Sequence, residues 1–328
     1  MERAVFGTRH GEIIVGHGPF TSLAEPPLTG VAFYRNDFSL SLEKPWLVPA
    51  GVEVLPKVPD EKQGPIHWTE PDPSGFTEIF REVSDAIGQG LIEKSVPVVT
   101  MKGAGKVSPD ALLSRLQGLP SAMRPYGWIG DDEGFLGATP EVLFRYFDGR
   151  IYTMALAGTA RKEERVLFSL DEKEIREHEF VAQTLIAKLS DLGMVMRDVR
   201  GILDLDQLVH FQTLIKVELY KHEEIETLIR RLHPTPALGP LPRTGETMKM
   251  LSGWRERLEA PAEFGAPFGL LRDGEFEALV AIRMIAWNGR ECFLPSGCGV
   301  IEESRLVNEW RELGLKRDAV LKIFGISN

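Results

Sequence analysis

The stretch Thr139–Thr159 constrains the fold more than any other part of the chain. Apolar side chains alternate before and after Asp148-Gly149, a pair that suits the positive φ angles of a tight turn. The pattern predicts a β-hairpin with Ile151–Leu156 as its return strand. Glu141 stands at its start, and Ala157–Thr159 ends it in a small-residue turn whose backbone N–H groups can approach an anion closely. One acid and one anion cradle are therefore expected at neighbouring strand ends.

The composition indicates a folded protein that acts on a small molecule. Of the 328 residues, 43% are hydrophobic, which is enough for a substantial core. The net charge of −10 disfavours nucleic acid and anionic membranes as partners. The two cysteines form no CxxC pair, so neither a disulfide framework nor a thiolate zinc site is indicated. No signal-peptide core opens the chain, and no apolar run reaches about 18 residues, so a cytoplasmic location is expected.

Short strands and amphipathic helices follow one another along the rest of the chain. Residues 1–75 mix short apolar runs with many Gly and Pro, which predicts strands and turns. Helical spacing of apolar residues predicts helices over 73–90, 108–116, 168–192, 223–232, 244–258 and from 304 onward. Further strands are predicted over 91–100, 195–200, 208–217, 264–271, 275–287 and 291–301. Because strands outnumber helices and cluster in meanders, we predict an α+β fold with a large, mainly antiparallel sheet system in one domain.

Several element ends carry local signals. Ser169 with Glu172 forms a capping-box pattern at the start of the 168–192 helix, and Ser304 is expected to cap the last helix. Pro97 cannot donate a hydrogen bond, so the 91–100 strand is predicted to be an edge strand or to carry a bulge. The residues His233–Pro240 are predicted to form an extended loop, because each proline pushes the preceding residue out of the α region.

Two predicted helices each carry a Glu-x-x-Glu pair, Glu174 with Glu177 and Glu309 with Glu312. Residues three apart share a helix face. Carboxylates that converge from two helices suit a hard divalent cation such as Mg²⁺. Either pair alone is more often a solvated helix face.

Three further polar residues stand next to apolar runs in predicted strands: Lys94, His210 and Arg283. Taken singly, such residues are commonly a surface lysine, a satisfied interior histidine and an ion-paired arginine. The segment Ser296–Gly299 is another place where backbone can meet a ligand. These interpretations of single residues do not explain the order in which all the features occur along the chain.

That order resembles the chorismate-utilising enzymes, which include isochorismate synthases, salicylate synthases, anthranilate synthase component I and aminodeoxychorismate synthase. The resemblance runs from about Phe76 to the C-terminus, so the family's catalytic core would be residues 76–328, and the N-terminal 75 residues are shorter than usual. The matching motifs are TPE (Thr139–Glu141), ALAGT (Ala155–Thr159), KEIREHEF (Lys173–Phe180), LVHF (Leu208–Phe211), LHPTPALG (Leu232–Gly239), AIR (Ala281–Arg283), SGCGVIEES (Ser296–Ser304) and NEWRELGLK (Asn308–Lys316).

Four positions bear on the branch of that family. Aminating members typically have glutamine at the position of Lys94, a lysine replaces Ala157 in the aminodeoxychorismate enzymes, and an FPAGT-like loop replaces HPTPA. These differences favour the water-adding branch, which needs no amidotransferase subunit. Salicylate synthases tend to have tyrosine at the position of Phe264. The resemblance therefore implies an isochorismate synthase, an isomerase acting on chorismate.

The resemblance also implies a mechanism, in which water adds at C2 of chorismate while the C4 hydroxyl leaves. It assigns Lys94 as the base and Glu141 as the acid, which is needed because hydroxide leaves poorly unless protonated. Near neutral pH the pKa of Lys94 must then lie below about 10.4 and that of Glu141 above about 4.3, the values of the free side chains. Burial in a dry pocket shifts both in these directions.

The same resemblance implies ligands for the two carboxylates of chorismate. Mg²⁺ held by Glu177 and Glu312, with Glu174 and Glu309 close by or bridged by water, is expected on the ring carboxylate. Arg283 suits the enolpyruvyl carboxylate, because a guanidinium grips carboxylates bidentately. The other substrate-binding residues are expected to be Ala157, Gly158, Thr159, His210, Ala237, Phe264, Gly297 and Lys316.

Two alternatives remain open. One is a salicylate synthase, which goes on to eliminate pyruvate from isochorismate. The other is a non-catalytic chorismate-binding protein, since Pro97, Pro295–Gly299 and Gly314 depart from the family's usual pattern. The sequence leaves open whether the product would serve menaquinone, siderophore or salicylate formation, and which oligomer forms.

Overall fold

The computed structural model describes residues 2–57, 61–205 and 207–326, and Met1, Val58–Asp60, Asp206 and Ser327-Asn328 lie outside the described residues. The described part holds 17 strands and 7 α-helices. The strands are β1 (Arg3–Gly7), β2 (Ile13–Leu23), β3 (Ala32–Arg35), β4 (Trp46–Val54), β5 (His67–Thr69), β6 (Val98–Ala104), β7 (Arg124–Ile129), β8 (Glu133–Thr139), β9 (Val142–Phe147), β10 (Arg150–Arg161), β11 (Gly193–Arg197), β12 (Gly201–Leu205), β13 (Leu208–Leu219), β14 (Pro267–Arg272), β15 (Glu275–Val280), β16 (Met284–Asn288) and β17 (Glu291–Gly297). The helices are α1 (Pro73–Gly88), α2 (Pro109–Leu116), α3 (Arg165–Phe168), α4 (Glu172–Leu189), α5 (Ile225–Leu232), α6 (Gly245–Arg257) and α7 (Leu306–Ile323).

The strands form one continuous antiparallel path. From β5 it runs through β6, β17, β16, β8, β7 and β1 to β2. From β2 it continues through β4, β3, β14, β15, β9 and β10 to β13, which pairs with both β11 and β12. The path folds back on itself, because Phe268 of β14 packs on Tyr126 of β7 and Phe135 of β8, with ring centroids 6.0 and 5.8 Å apart. The predicted α+β fold with a large antiparallel sheet system is confirmed.

Two apolar cores lie on the two faces of the first half of this path. In β1, Ala4 and Phe6 join the larger core and Val5 joins the smaller one, as expected for side chains that alternate across a strand. Helix α2 and the end of α7 cover the smaller core through Leu112 and Val320. The larger core fills the space between the two arms of the folded sheet.

Helix α4 lies against β10 and β13. Val181, Leu185 and Leu189 are buried at helical spacing and join the larger core. Helix α7 meets α1, where the rings of Phe76 and Trp310 are 5.5 Å apart. These contacts fix the first turns of α4 and α7, which carry the Glu-x-x-Glu pairs.

The hairpin prediction is confirmed. Asp148 and Gly149 both adopt positive φ, 50° and 66°, between β9 and β10. Beyond Leu156 the structure differs from the prediction, because Ala157–Thr159 is no turn and lies inside β10. Here β10 has a bulge, since Ala157 pairs with Phe211 and Ala160 with Val209.

Two predicted helix starts are wrong. The 168–192 helix is divided into α3 and α4, and Asp171, not Ser169, caps α4 by accepting a hydrogen bond from the Glu174 N–H. Asp caps a helix as well as Ser does, and Asp171 is the one next to the first full turn. At α7 the N-cap is Arg305, while the Ser304 hydroxyl accepts from the Ile301 N–H one turn earlier.

Three strand predictions also need correction. The 91–100 strand begins only at Val98, so Pro97 precedes it and its missing N–H costs no ladder hydrogen bond. β6 is not an edge strand, because β5 and β17 pair with its two sides. The predicted 275–287 strand is interrupted between β15 and β16, and β12 was not predicted.

Candidate active site

A cavity of about 650 Å³, measured out to its open mouth, lies where the ends of several strands meet α4 and α7. Its walls come from the β8–β9 corner, the bulge of β10, β13, the loops around α6, the β15–β16 corner, the end of β17 and the two helices. The lining residues are Pro140, Glu141, Leu156, Ala157, Gly158, Thr159, Glu177, His210, Ala237, Leu238, Phe264, Ile282, Arg283, Pro295, Ser296, Gly297, Gly299, Glu312 and Lys316.

The bulge of β10 forms one wall and contacts α4. Gly158 has a φ of +78°, which L-residues with a side chain rarely adopt, and a Cβ there would lie 3.2 Å from Glu174 Oε2. The Thr159 N–H donates to the same oxygen at 2.9 Å. The expected anion cradle is therefore partly used, since this N–H already binds a carboxylate of the protein.

Arg283 enters the cavity from the corner between β15 and β16. Its φ is 58°, a left-handed conformation for a residue with a side chain. The corner is held because the Tyr126 hydroxyl donates to the Ile282 carbonyl at 2.8 Å and the Ala138 N–H donates to the Arg283 carbonyl at 3.2 Å. Neighbouring strands thus stabilise the strained conformation of Arg283, which directs its cationic side chain into the cavity.

His210 of β13 sets the position of the Arg283 guanidinium. The two side chains are in contact at 3.1 Å, between Arg283 Nη2 and His210 Nε2. Because a guanidinium can only donate, Nε2 must accept, and Nδ1–H donates to the Gly158 carbonyl at 2.8 Å. Burial, aided by the nearby Arg283, lowers the pKa of His210 to about 3, in keeping with a neutral imidazole.

Glu141 stands on the cavity wall as a buried carboxyl group. Its Oε1 accepts a hydrogen bond from the Thr235 hydroxyl at 2.9 Å. Burial raises the pKa of Glu141 to about 7, although Thr235, Lys94 and Lys316 act in the opposite direction. The group can hold a proton near neutral pH, as a general acid must.

Lys94 is completely buried next to the lining residue Glu177 and does not itself line the cavity. Its Nζ donates to the Pro236 carbonyl at 3.1 Å and lies 3.2 Å from Glu177 Oε1. Thr235 binds Glu141 and Pro236 binds Lys94, so adjacent residues of one loop hold the two groups.

The four predicted helix carboxylates meet where α4 approaches α7, and a lysine joins them. Lys173 Nζ lies 2.9 Å from Glu174 Oε1, 3.4 Å from Glu177 Oε2 and 3.2 Å from Glu309 Oε1. Glu312 pairs with Lys316 at 2.6 Å. The two helices are thus joined by ion pairs across the site.

The carboxylates differ in their affinity for protons. Burial opposes the ionisation of Glu177, but Lys94 and Lys173 outweigh it and its pKa falls to about 2. Burial raises the pKa of Glu174 to about 7 and that of Glu309 to about 8. Burial thus dominates at Glu174 and Glu309, whereas the neighbouring lysines dominate at Glu177.

The residues of the cluster fit a hard divalent cation. Glu309 Oε2 is buried without a hydrogen-bond partner, while Lys173 pairs with the other oxygen of the same carboxylate. Gly299 leaves room beside Glu177, since a Cβ there would lie 1.9 Å from Glu177 Oε1. The donor set is all oxygen, which Mg²⁺ prefers. The fit is one of donor chemistry, since no three His, Cys, Asp or Glu side chains of the described residues are arranged to hold a metal ion as they stand.

A protein-family profile described as chorismate binding enzyme matches residues 51–325. The chain belongs to this family. It is 30% identical over 260 residues to the salicylate biosynthesis isochorismate synthase of Pseudomonas aeruginosa, covering 73% of this chain and 53% of the relative. It is 29% identical over 242 residues to isochorismate synthase MenF of Bacillus subtilis, covering 67% and 49%. The chain thus spans about half the length of the relatives it matches.

The fold agrees with that of the family. The structure of MenF, the menaquinone-specific isochorismate synthase from Escherichia coli, matches with a TM-score of 0.83 and 18% identity, over 99% of this chain and 89% of that one. No α-helix within residues 2–57, 61–205 or 207–326 combines the length and hydrophobicity that a membrane span requires.

Most of the residues that the family resemblance singled out lie on one cavity. Those that line it are Glu141, Ala157, Gly158, Thr159, Glu177, His210, Ala237, Phe264, Arg283, Gly297, Glu312 and Lys316. Lys94 and Glu174 lie directly behind this wall, in contact with Glu177 and Thr159. Glu309 is linked to the wall only through Lys173, which pairs with both Glu309 and Glu177. Their roles stay predictions.

The departures from the family pattern do not disrupt the chain at the cavity. Pro295 lies within β17 opposite Thr100, and helix α7 continues through Gly314. Two contacting residues were missed in the sequence, Lys173 and Thr235. Lys173 directly precedes Glu174, and Thr235 lies within HPTPA, so both are inside matched motifs. Their place in these motifs was the only sequence signal that could have indicated a role at the site.

Proposed function

We propose that the protein is an isochorismate synthase, an isomerase that converts chorismate into isochorismate. The observation that carries the proposal is the Glu141 carboxyl on the cavity wall, whose pKa burial raises to about 7. A carboxyl that holds its proton near neutral pH can deliver it to a leaving hydroxyl. The names of the relatives support this choice of reaction.

In this proposal the protein's own groups move two protons. In its neutral form, released from the ion pair with Glu177, Lys94 takes one from a water that attacks C2 of the ring, and Glu141 gives one to the C4 hydroxyl, which leaves as water. One water enters and one departs, so no redox cofactor is needed. The double bonds of the ring shift between the two carbons, and the two groups exchange their roles in the reverse reaction.

Two cations would hold the carboxylates of the substrate. Arg283, fixed by the neutral His210, suits the enolpyruvyl carboxylate because it presents a preorganised fork of donors. Glu177 and Glu312 would hold Mg²⁺, with Glu174 and Glu309 close by, and the ion would offset the negative charge of the ring carboxylate. The orphaned Glu309 Oε2 supports this assignment.

Two residues support water addition without a following elimination. Lys94 stands where the aminating enzymes typically have glutamine, which argues against ammonia as the nucleophile. Phe264 lines the cavity and lacks the hydroxyl that salicylate synthases tend to have at this position.

The test is a product assay with purified protein, chorismate and MgCl₂, analysed by liquid chromatography and mass spectrometry. We expect isochorismate alone. Salicylate with pyruvate would identify a salicylate synthase, and an aminated product formed with ammonium would identify the other branch. Chorismate binding in a calorimeter with no product after hours would overturn the enzymatic assignment altogether.

A further inference from the structure

Lys173 occupies the centre of the carboxylate cluster, and the proposed reaction gives it no task. Its Nζ lies within 3.4 Å of Glu174, Glu177 and Glu309. All three belong to the four carboxylates that would hold or surround a divalent cation. Lys173 would therefore compete with such a cation for the same group of carboxylates.

The other two lysines of the site also pair with carboxylates, Lys94 with Glu177 and Lys316 with Glu312, but each has a second, backbone partner. Lys94 is fully buried and donates to the Pro236 carbonyl, and Lys316 donates to the Gly297 carbonyl at 2.7 Å. The contacts of Lys173 given by the structure are to carboxylates alone, and its side chain is 18% exposed. It also stands on the first turn of α4, beside solvent-exposed Glu172. Solvent therefore lies close to this ammonium group, on the side of the helix that Glu172 faces.

A single ammonium group does not satisfy the cluster. Lys173 binds Glu309 through Oε1, while Oε2 of the same carboxylate stays buried and without a partner. Glu309 itself is only 2% exposed, so water is not a ready substitute. A divalent cation among these oxygens would supply more positive charge than one ammonium group does.

We propose that Lys173 is an exchangeable internal cation, which holds the carboxylates of α4 and α7 together in the metal-free protein and leaves the cluster when a divalent cation binds. The inference rests on the proposed function only through the choice of Mg²⁺. An ammonium and a metal ion that share carboxylates would repel each other strongly in a buried site, so the two states exclude each other. The apparent metal affinity is then the intrinsic affinity multiplied by the fraction of molecules in which Lys173 lies outside the cluster.

The first test is calorimetric titration of chorismate-free protein with MgCl₂ at constant ionic strength. We expect Lys173→Met to bind Mg²⁺ about tenfold more tightly than the wild type, a change of about 1.4 kcal/mol. The control is Lys216→Met, which removes the same charge from a surface pair with Glu218 and should leave the affinity unchanged. Equal or weaker binding by Lys173→Met would overturn the proposal.

The second test uses the wild type and so does not depend on the folding of a variant. Lysines are methylated reductively with and without MgCl₂, and the rate at each lysine is read by mass spectrometry. We expect Mg²⁺ to raise the rate at Lys173 several-fold and to leave that of half-buried Lys216 unchanged. A rate at Lys173 that falls or stays the same would show that the ammonium remains in the cluster.

Neither measurement involves chorismate, so the two proposals can fail separately. A protein that binds Mg²⁺ more tightly without Lys173 but forms no isochorismate would refute only the proposed function. A protein that forms isochorismate, but whose Mg²⁺ affinity does not rise on removal of Lys173, would refute only the exchange.

Discussion

Replacing Thr235 by valine should shift the pH dependence of the enzyme upward. The Thr235 hydroxyl donates to Glu141 Oε1 at 2.9 Å, and both side chains are buried. This hydrogen bond stabilises the charged carboxylate and so lowers the pKa of Glu141, against the larger effect of burial that raises it to about 7. Without the hydroxyl, the pKa should rise further and Glu141 should hold its proton to higher pH.

The size of the shift follows from the energy of that contact. A hydrogen bond to a charged group contributes about 1.5–3 kcal/mol, and one pKa unit corresponds to about 1.4 kcal/mol. The pKa of Glu141 should therefore rise by about one to two units in Thr235→Val. Because the acid must be protonated to react, the alkaline limb of kcat/KM should move from about pH 7 towards about pH 8–9.

The assay is the initial rate of isochorismate formation from about pH 6 to about pH 10. At low chorismate concentration this rate is proportional to kcat/KM, whose pH dependence reports the titrating groups of the free enzyme. Thr235→Ser is the matched control, because serine retains the donor and should keep the limb near its original pH. An unchanged or lowered limb in Thr235→Val, in a variant with wild-type circular dichroism, would refute the role of Glu141 as the acid.

Further substitutions test other parts of the site and the fold. Glu141→Gln should lower kcat by about 10²–10⁴-fold, the usual contribution of a general acid. The variant should retain the rise in Tm that we expect MgCl₂ to cause in the wild type. An unchanged kcat would contradict the assignment of Glu141 as the acid. Gly299→Ala should abolish that rise in Tm with MgCl₂, because the added Cβ would collide with Glu177 Oε1. Gly314→Ala has open space in α7 and should stabilise the protein by about 0.5–1 kcal/mol. Equal behaviour of the two variants in metal titrations would be evidence against a metal site at Glu177. Burial lowers the pKa of His233 to about 4, against about 6.5 in the unfolded chain, so its contribution to stability is complete above about pH 6.5 and is lost as the pH falls towards 4. The drop in Tm between these pH values should be smaller in His233→Gln, which can still donate to the Phe38 carbonyl, and an equal drop would exclude His233 as a cause.

Local sequence signals were sufficient to predict the backbone conformation of short segments that determine their own conformation. Asp148-Gly149 adopts positive φ in the predicted hairpin, and the prolines after His233 keep that segment out of a helix. The family motifs likewise identified most of the residues that line the cavity, because matching a motif does not depend on correct prediction of the surrounding strands.

Long-range contacts explain what the sequence did not predict. The break at Arg283 depends on Tyr126, more than 150 positions away, whose hydroxyl binds the corner. An apolar run gives no sign of such a partner, so a continuous strand was predicted. Lys173 was overlooked for the same reason, because its contact with Glu309 exists only once α4 and α7 have been brought together.

The most direct test of water addition is to run the reaction in H₂¹⁸O and to analyse the isochorismate by mass spectrometry. If Lys94 activates solvent water while Glu141 protonates the departing hydroxyl, each isochorismate molecule from the first turnovers should carry one ¹⁸O, on C2. Isochorismate without the label would mean that the hydroxyl migrates within the substrate, and would contradict the roles proposed for both residues.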